Sequence, residues 1–442
     1  MVDDRWTAWV VCAALAIAGA CRPAAVVAPT PLPAAPRGAP VAHRTIAHDA
    51  LDLEADVLPP SPGVERRLDA LIGDAARKIR AAEPRLRALD PRERALETFR
   101  LIEDGLAADH VVYAGRGYVS TLHDALAPTL VDHVGLARLQ DRFENRGRIP
   151  HITASPQEPY YMADCDTFSI LYVAIGETLD LPIAMVDLPS PPGAVGHDYV
   201  VWTLPGGGKV AWEPMTGEER NAALDDDFFF HAPRSADESA AARAFGVAMT
   251  RAETLGYWHR IVAELWLDLG APQQALAAFT AATRLGPQSP VAYNDVAWLL
   301  ATSPDPAVRD PERAVQVAER SVALWPSANY LDTLAAAYAA AGRWQDAQRA
   351  QARAVSVAAA YDPKASGFRH RLALYEHCQA YIAARREERL AESWRETLQN
   401  PAWGDLAIAV SGREAAPIAD ACAAGAGVSR TTPPHPPHPP RR

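Results

Sequence analysis

The sequence predicts an α+β domain followed by an all-α solenoid, and three observations carry that prediction. Apolar residues fall at helical spacing at Phe168, Leu171, Tyr172, Ile175 and Leu179, directly after a cysteine, Cys165. Two alternating runs, Tyr199 to Leu204 and Val210 to Trp212, flank a Gly-rich turn and read as a hairpin. Beyond Tyr257 and Trp258, small residues recur at a period close to that of stacked helix pairs. At 442 residues and 49% hydrophobic, the chain has enough apolar material for two or three domains. Its net charge of −11 argues against a nucleic-acid partner, because no basic surface would release phosphate counterions. Zinc-ligand spacing, an H-E-x-x-H helix and a Walker-type loop are all missing, so no metal or cofactor is expected. The run Gly206 to Lys209 lacks the second half of a phosphate loop and is the turn of the hairpin.

The first 20 residues read as a signal peptide. Trp6 to Ala20 is an apolar run of 15 residues, short for a membrane helix, ending in small residues before Cys21. The ending Ala-Ile-Ala-Gly-Ala-Cys resembles a bacterial lipoprotein signal, although Ala18 stands where such signals usually carry leucine and the leading segment holds two acids and one base. The resemblance implies lipidation at Cys21 and a place in the bacterial cell envelope, periplasmic or surface, anchored to the membrane by lipid alone. The alternative is a plainly secreted protein. Residues 21–48 are Pro/Ala-rich and suit an extended tether that forms no core.

The first folded domain is expected over 49–220. Val64, Leu68, Leu71, Ile72 and Ile79 share one helical face, so Pro62 to Ala82 reads as a helix. A second helix runs from Pro91 to Leu106, with Asp90 as N-cap and Pro91 at the first position. Ser120 to Leu126 reads as a short capped helix. Cys165 opens the next helix, with Asp164 or Asp166 able to cap it. Unpaired amides and the helix dipole favour a thiolate there, while the aspartates oppose it. A strand over Leu181 to Leu188 follows, then the hairpin, whose first strand His197 opens and whose second strand Glu213 closes.

A cysteine at a helix start, a strand, then His197-Asp198-Tyr199 leading to Trp202, then Trp212-Glu213-Pro214, resembles the transglutaminase-like superfamily of papain-like thiol enzymes. The similarity spans about Tyr113 to Gly217. It implies Cys165 as nucleophile, His197 as general base and acid, and Glu213 as the group that orients the imidazole, in place of the family's usual aspartate. The chemistry needs these types. Only the thiolate attacks well, and a free thiol with a pKa of about 8.5 is mostly protonated at neutral pH. An imidazole takes and returns the proton, and a carboxylate fixes its tautomer. The Cys165 N–H is the expected first oxyanion donor, with Tyr160 or Tyr161 as the second. Taken singly, each residue has a plain structural reading: a buried cysteine, a strand-edge histidine, a solvated glutamate. The implied activity is acyl transfer or hydrolysis at an amide, as a cysteine peptidase, amidase or transglutaminase. The contrasting reading is a fold that has lost its chemistry and serves as a scaffold.

Residues 221–250 are expected to connect the domains, with the Phe228 to Phe230 run packed against one of them. Over 251–360, Gly270, Ala275, Phe279, Ala282 and Pro287 match the tetratricopeptide pattern. It returns at Ala297, Ala314, Ser321 and Pro326, and again at Ala335, Tyr338, Gly342, Ala347 and Ala354. The alanine at 275, 314 and 347 recurs at intervals of 39 and 33 residues, around the ~34-residue period of such repeats. The longer interval holds an insertion, Thr302 to Pro311. The resemblance implies a protein or peptide partner; the alternative is an array that only braces the first domain. Capping helices are expected over 361–412, with Leu372 to Leu398 helical and Cys378 in the core or bridged to Cys422. Residues 413–442 are expected to form a disordered Pro-rich tail in which His435 and His438 are solvated, the alternative being weak metal binding.

Overall fold

The structure is a computed structural model that describes residues 44–58, 62–113, 121–131, 133–153, 158–188, 197–220, 247–359 and 365–383. The signal and tether with Cys21, the Phe228 to Phe230 run, Cys422 and the Pro-rich tail lie outside the described residues. The described chain is mixed α/β, mostly helical, with two small sheets and a helical C-terminal region. No described helix is long and apolar enough to cross a membrane.

Folding starts earlier than the expected residue 49. Thr45 and His48 form a reciprocal capping box that opens α1, Ile46–Glu54. Next come α2, Pro62–Leu86, and α3, Pro91–Ala108. Asp90 accepts from the N–H groups of Arg92 (2.9 Å) and Glu93 (3.0 Å), the cap expected of it. Helix α2 runs beyond the expected Ala82 and contains Pro84. Strand β1, Val111–Tyr113, short helix α4, Leu122–Leu126, and strand β2, Thr129–Leu130, lead to α5, His133–Asp141. A 3-10 turn, Phe143–His151, precedes β3, Pro159–Ala163. Strand β3 pairs in parallel with β1 and antiparallel with β2.

Helix α6, Cys165–Thr178, then packs on an antiparallel sheet of β4, Ile183–Leu188, β5, His197–Thr203, β6, Lys209–Glu213, and β7, Glu218–Glu219. Both faces of β5 are buried. Val200 and Trp202 join Phe168, Leu171, Tyr172 and Ile175 of α6 in the main core. Tyr199 and Val201 join Val186, Leu188 and Ala211 in a second cluster on the other face. The α6–β4 approach needs a glycine: a Cβ at Gly176 would lie 3.0 Å from Ile183 Cβ.

One buried ion pair ties these pieces together. Arg148, 0% exposed, donates to Glu103 of α3 at 2.8 Å and to the Pro214 carbonyl at 2.6 Å. Tyr172 of α6 donates to the same Glu103 oxygen at 2.7 Å, and the Trp212 indole of β6 donates to Tyr172 at 3.2 Å.

The helical region begins at α7, Arg251–Asp268, behind a Thr250–Glu253 capping box. Its N-terminal half belongs to the first core, through Trp258 and Ile261, while Ala263 belongs to the next. The pairs α7 with α8 (Pro272–Leu285), α9 (Pro290–Thr302) with α10 (Pro311–Leu324), and α11 (Ala328–Ala340) with α12 (Trp344–Ala358) pack together. Ala275, Ala314 and Ala347 are fully buried, which allows close helix approach. Gly270 and Gly342 turn two of the helix ends at φ +72 and +74. The expected insertion is the stretch between α9 and α10, where Asp310 N–H returns to the Leu300 carbonyl at 3.1 Å.

Helix α13, Ser366–Glu376, ends the described array. Cys378 is not a helical core residue as expected. It follows α13 in the left-handed region at φ 54, a conformation that cannot continue a helix, and it is disulfide-bonded. Cys422, the partner offered for it in the sequence, lies outside the described residues.

Replacing Arg148 by methionine leaves Glu103 buried without a counter-charge, and is expected to cost about 3–5 kcal/mol in denaturant unfolding. Adding Glu103→Leu should recover part of the loss. A single-variant cost below about 1 kcal/mol would show that the pair is not structural.

Candidate functional site around Cys165

Cys165 is the first residue of α6, and Asp164 is its N-cap: the Asp164 carboxylate accepts from Thr167 N–H at 3.2 Å, and Thr167 Oγ1 accepts from Asp164 N–H at 2.9 Å. Cys165 thus opens a helix, where the sequence expectation put it. Its surroundings differ. The thiol donates to Asp166 Oδ1 at 3.2 Å and approaches Asp198 Oδ2 at 4.0 Å. The three ligand-type atoms of Cys165, Asp166 and Asp198 lie within 4.8 Å of one another.

His197 and Glu213 do meet. His197 Nε2 and Glu213 Oε2 are 2.6 Å apart, and Arg220 also binds that carboxylate oxygen. Arg220 in turn lies over the Tyr199 ring, 4.8 Å from its centroid. No hydrogen bond joins Cys165 to His197 among the described residues. Strand alternation gives the reason. His197 has the parity of Tyr199 and Val201, which pack on the face away from α6, and Glu213 shares the parity of Ala211 on that face. Asp198 has the parity of Val200 and Trp202, which pack against α6. The structure therefore presents Asp198 to the sulfur and pairs the imidazole with Glu213.

The two tyrosines expected as oxyanion donors have other partners. Tyr160 is fully buried; its hydroxyl accepts from Thr153 N–H at 2.9 Å and donates to the Thr153 carbonyl at 3.1 Å. The Tyr161 ring carries the Arg67 guanidinium 3.9 Å from its centroid. The tyrosine that does reach the site comes from the helical region. Tyr257 of α7 donates to Asp198 Oδ2 at 3.0 Å. It also lines a cavity of ≈ 80 Å³ with Asp187, Met249, Glu253, Arg260 and Ser289. Nothing in the local sequence near Cys165 marks Tyr257, which becomes a neighbour only because α7 packs into the first core.

The electrostatics oppose nucleophilic activation. Burial, then the charges of Asp166, Asp198 and Asp164, push the Cys165 thiol well above its ordinary range, although one Asp198 backbone N–H works the other way. Burial and Asp166 raise Asp164 to about 7, and burial and the neighbouring acids raise Asp198 well above the usual carboxylate range. The capping aspartate also spends the favourable field of the helix N-terminus on itself. No arginine, lysine or histidine forms an ion pair with Asp164, Asp166 or Asp198 among the described residues, whereas Glu103, Asp332 and Glu213 each hold an arginine.

A raised thiol pKa means that thiolate accumulates only at high pH. The alkylation rate of Cys165 is expected to keep climbing above pH 9. Asp198→Asn removes one of the charges that holds the proton on sulfur, so it should speed alkylation at pH 8 by about tenfold for each pKa unit recovered. An unchanged or slower rate in that variant would mean that Asp198 does not control the thiol. No protein-family model matches the chain, and no curated protein matches it.

Proposed function

We propose that the chain is an exported, lipid-anchored scaffold of the bacterial cell envelope. In it a transglutaminase-like fold has lost thiol chemistry, and a tetratricopeptide-like array takes a protein or peptide partner. The observation that carries this reading is the setting of the sulfur: two carboxylates within 4.0 Å and no hydrogen bond to His197. An attacking thiol must first lose its proton to a base. Here the nearest groups are carboxyls whose negative charge opposes a thiolate, and the imidazole is bonded to Glu213. The recurring buried alanines Ala275, Ala314 and Ala347, each on the second helix of a packed pair, support the repeat reading. The apolar run ending at Cys21 supports the anchor.

The second reading is thiol-dependent acyl transfer or hydrolysis at an amide, with Cys165, His197 and Glu213 in the roles that the resemblance implies. It is favoured by the formed His197–Glu213 pair, the arrangement that orients a catalytic imidazole. Iodoacetamide kinetics at pH 7 separate the two. As a scaffold, the protein should alkylate at Cys165 more slowly than a free cysteine peptide, because only thiolate reacts. Alkylation faster than the peptide, lost in His197→Ala, would replace the scaffold reading with the enzymatic one.

A further inference from the structure

We propose that Cys165, Asp166 and Asp198 form a binding site for a thiophilic divalent cation of the Zn²⁺ class, a role separate from partner binding. The first support is geometric. Tetrahedral zinc with one sulfur at about 2.3 Å and oxygens at about 2.0 Å needs sulfur–oxygen separations of about 3.5 Å. The observed separations of 3.2 Å to Asp166 and 4.0 Å to Asp198 bracket that value. Small rotations about the two carboxylate side chains would complete it without moving α6 or β5. Two carboxylates and a thiolate match the mixed hardness of Zn²⁺ better than that of Mg²⁺ or Ca²⁺, which take oxygen ligands.

The second support is an unsatisfied group. Asp198 is 2% exposed, and its Oδ1 is buried with no hydrogen-bond partner. A buried carboxylate oxygen without a donor carries a substantial desolvation cost. The other buried carboxylates are treated differently. Glu103 and Asp332 each hold an arginine. Glu54 receives the N–H groups of Leu122 and His123, both at 2.7 Å, and the Trp258 indole at 2.8 Å. Among the described residues, Asp198 has neither a cationic side chain nor a donor on its buried Oδ1, and a bound cation supplies the missing charge. Cys165 and Asp166 remain partly exposed, which leaves an entry route. Coordination exchanges the thiol proton for the cation, and the proton leaves to solvent. Three protein ligands leave a fourth position for water. Tyr257, bonded to Asp198 Oδ2, acts as a positioning residue that orients the carboxylate.

The test is titration of the reduced, chelator-treated full chain with Co²⁺ alone, followed by Zn²⁺. One equivalent of Co²⁺ is expected to give thiolate-to-metal charge-transfer absorption that Zn²⁺ displaces. Zn²⁺ should also block alkylation of Cys165. Cys165→Ser should lose the absorption, and Asp198→Asn should weaken binding by at least about tenfold. Circular dichroism would check that both variants fold. Should Asp198→Asn fail that check, the serine variant still decides. No charge-transfer band at saturating Co²⁺, or an equal band in Cys165→Ser, would overturn the site. The readout is coordination, so it is independent of the metal-free alkylation rate that tests the scaffold reading.

Discussion

The Glu103–Arg148 ion pair sets the frame on which the α/β half of the molecule is built. Arg148 reaches the Glu103 carboxylate of α3 and, through its other donors, the carbonyls of Pro214 and Met215 immediately after β6. Glu103 holds the Tyr172 hydroxyl of α6, and Tyr172 accepts the Trp212 indole of β6. Two helices, a strand end and the following turn thus share one buried charge pair. Such a pair gains little over an apolar replacement, but it is costly to break and demanding in geometry. Its effect here is positional. It determines where the start of α6 and the end of β6 lie, and so where Cys165 and Glu213 stand. The Arg148 guanidinium also lies 4.3 Å from the Phe168 ring centroid, one helical turn after Cys165.

Against that frame, the thiol stands in a field of its own sign. A helix N-terminus is a favourable place for an anion, but Asp164 already satisfies it and Asp166 sits in the same first turn. Asp198 arrives from the sheet and Tyr257 closes over it from α7. Burial strengthens each of these repulsions, because water is not there to screen them. A group so placed is stabilised by a proton or by a metal, and destabilised as a bare nucleophile.

Much of the architecture was legible from residue order. The apolar face from Phe168 to Leu179, the Asp90–Pro91 helix start, the hairpin around Gly206 to Gly208 and the recurring alanines all express local periodicity, and local periodicity survives tertiary packing. The side of β5 on which His197 stands was not legible. Alternation assigns a face only when one face is polar, and β5 is buried on both. Nothing local distinguished His197 from Asp198 as the residue facing α6. Tyr257 and the Glu103–Arg148 pair were illegible for another reason: their partners lie far along the chain, and long-range pairing leaves no periodic trace. Cys378 misled because the helical pattern around it continues past the point where the backbone turns at φ 54.

Helix α7 carries a consequence for how the molecule holds together. It lends Trp258 and Ile261 to one core and Ala263 to the other, while Arg251 pairs with Asp49 at 2.7 Å and with Glu177 at 2.9 Å. The Trp258 indole donates to Glu54, which in turn caps α4. The two halves therefore have no clean seam. Severing the chain before α7 strips a fully buried tryptophan from the α/β half and leaves Glu54 short of a donor, while the helical region keeps an apolar helix face turned to water. Helix α7 thus behaves as a shared beam: neither half is a portable part, and loosening of one is felt in the other as lost cooperativity.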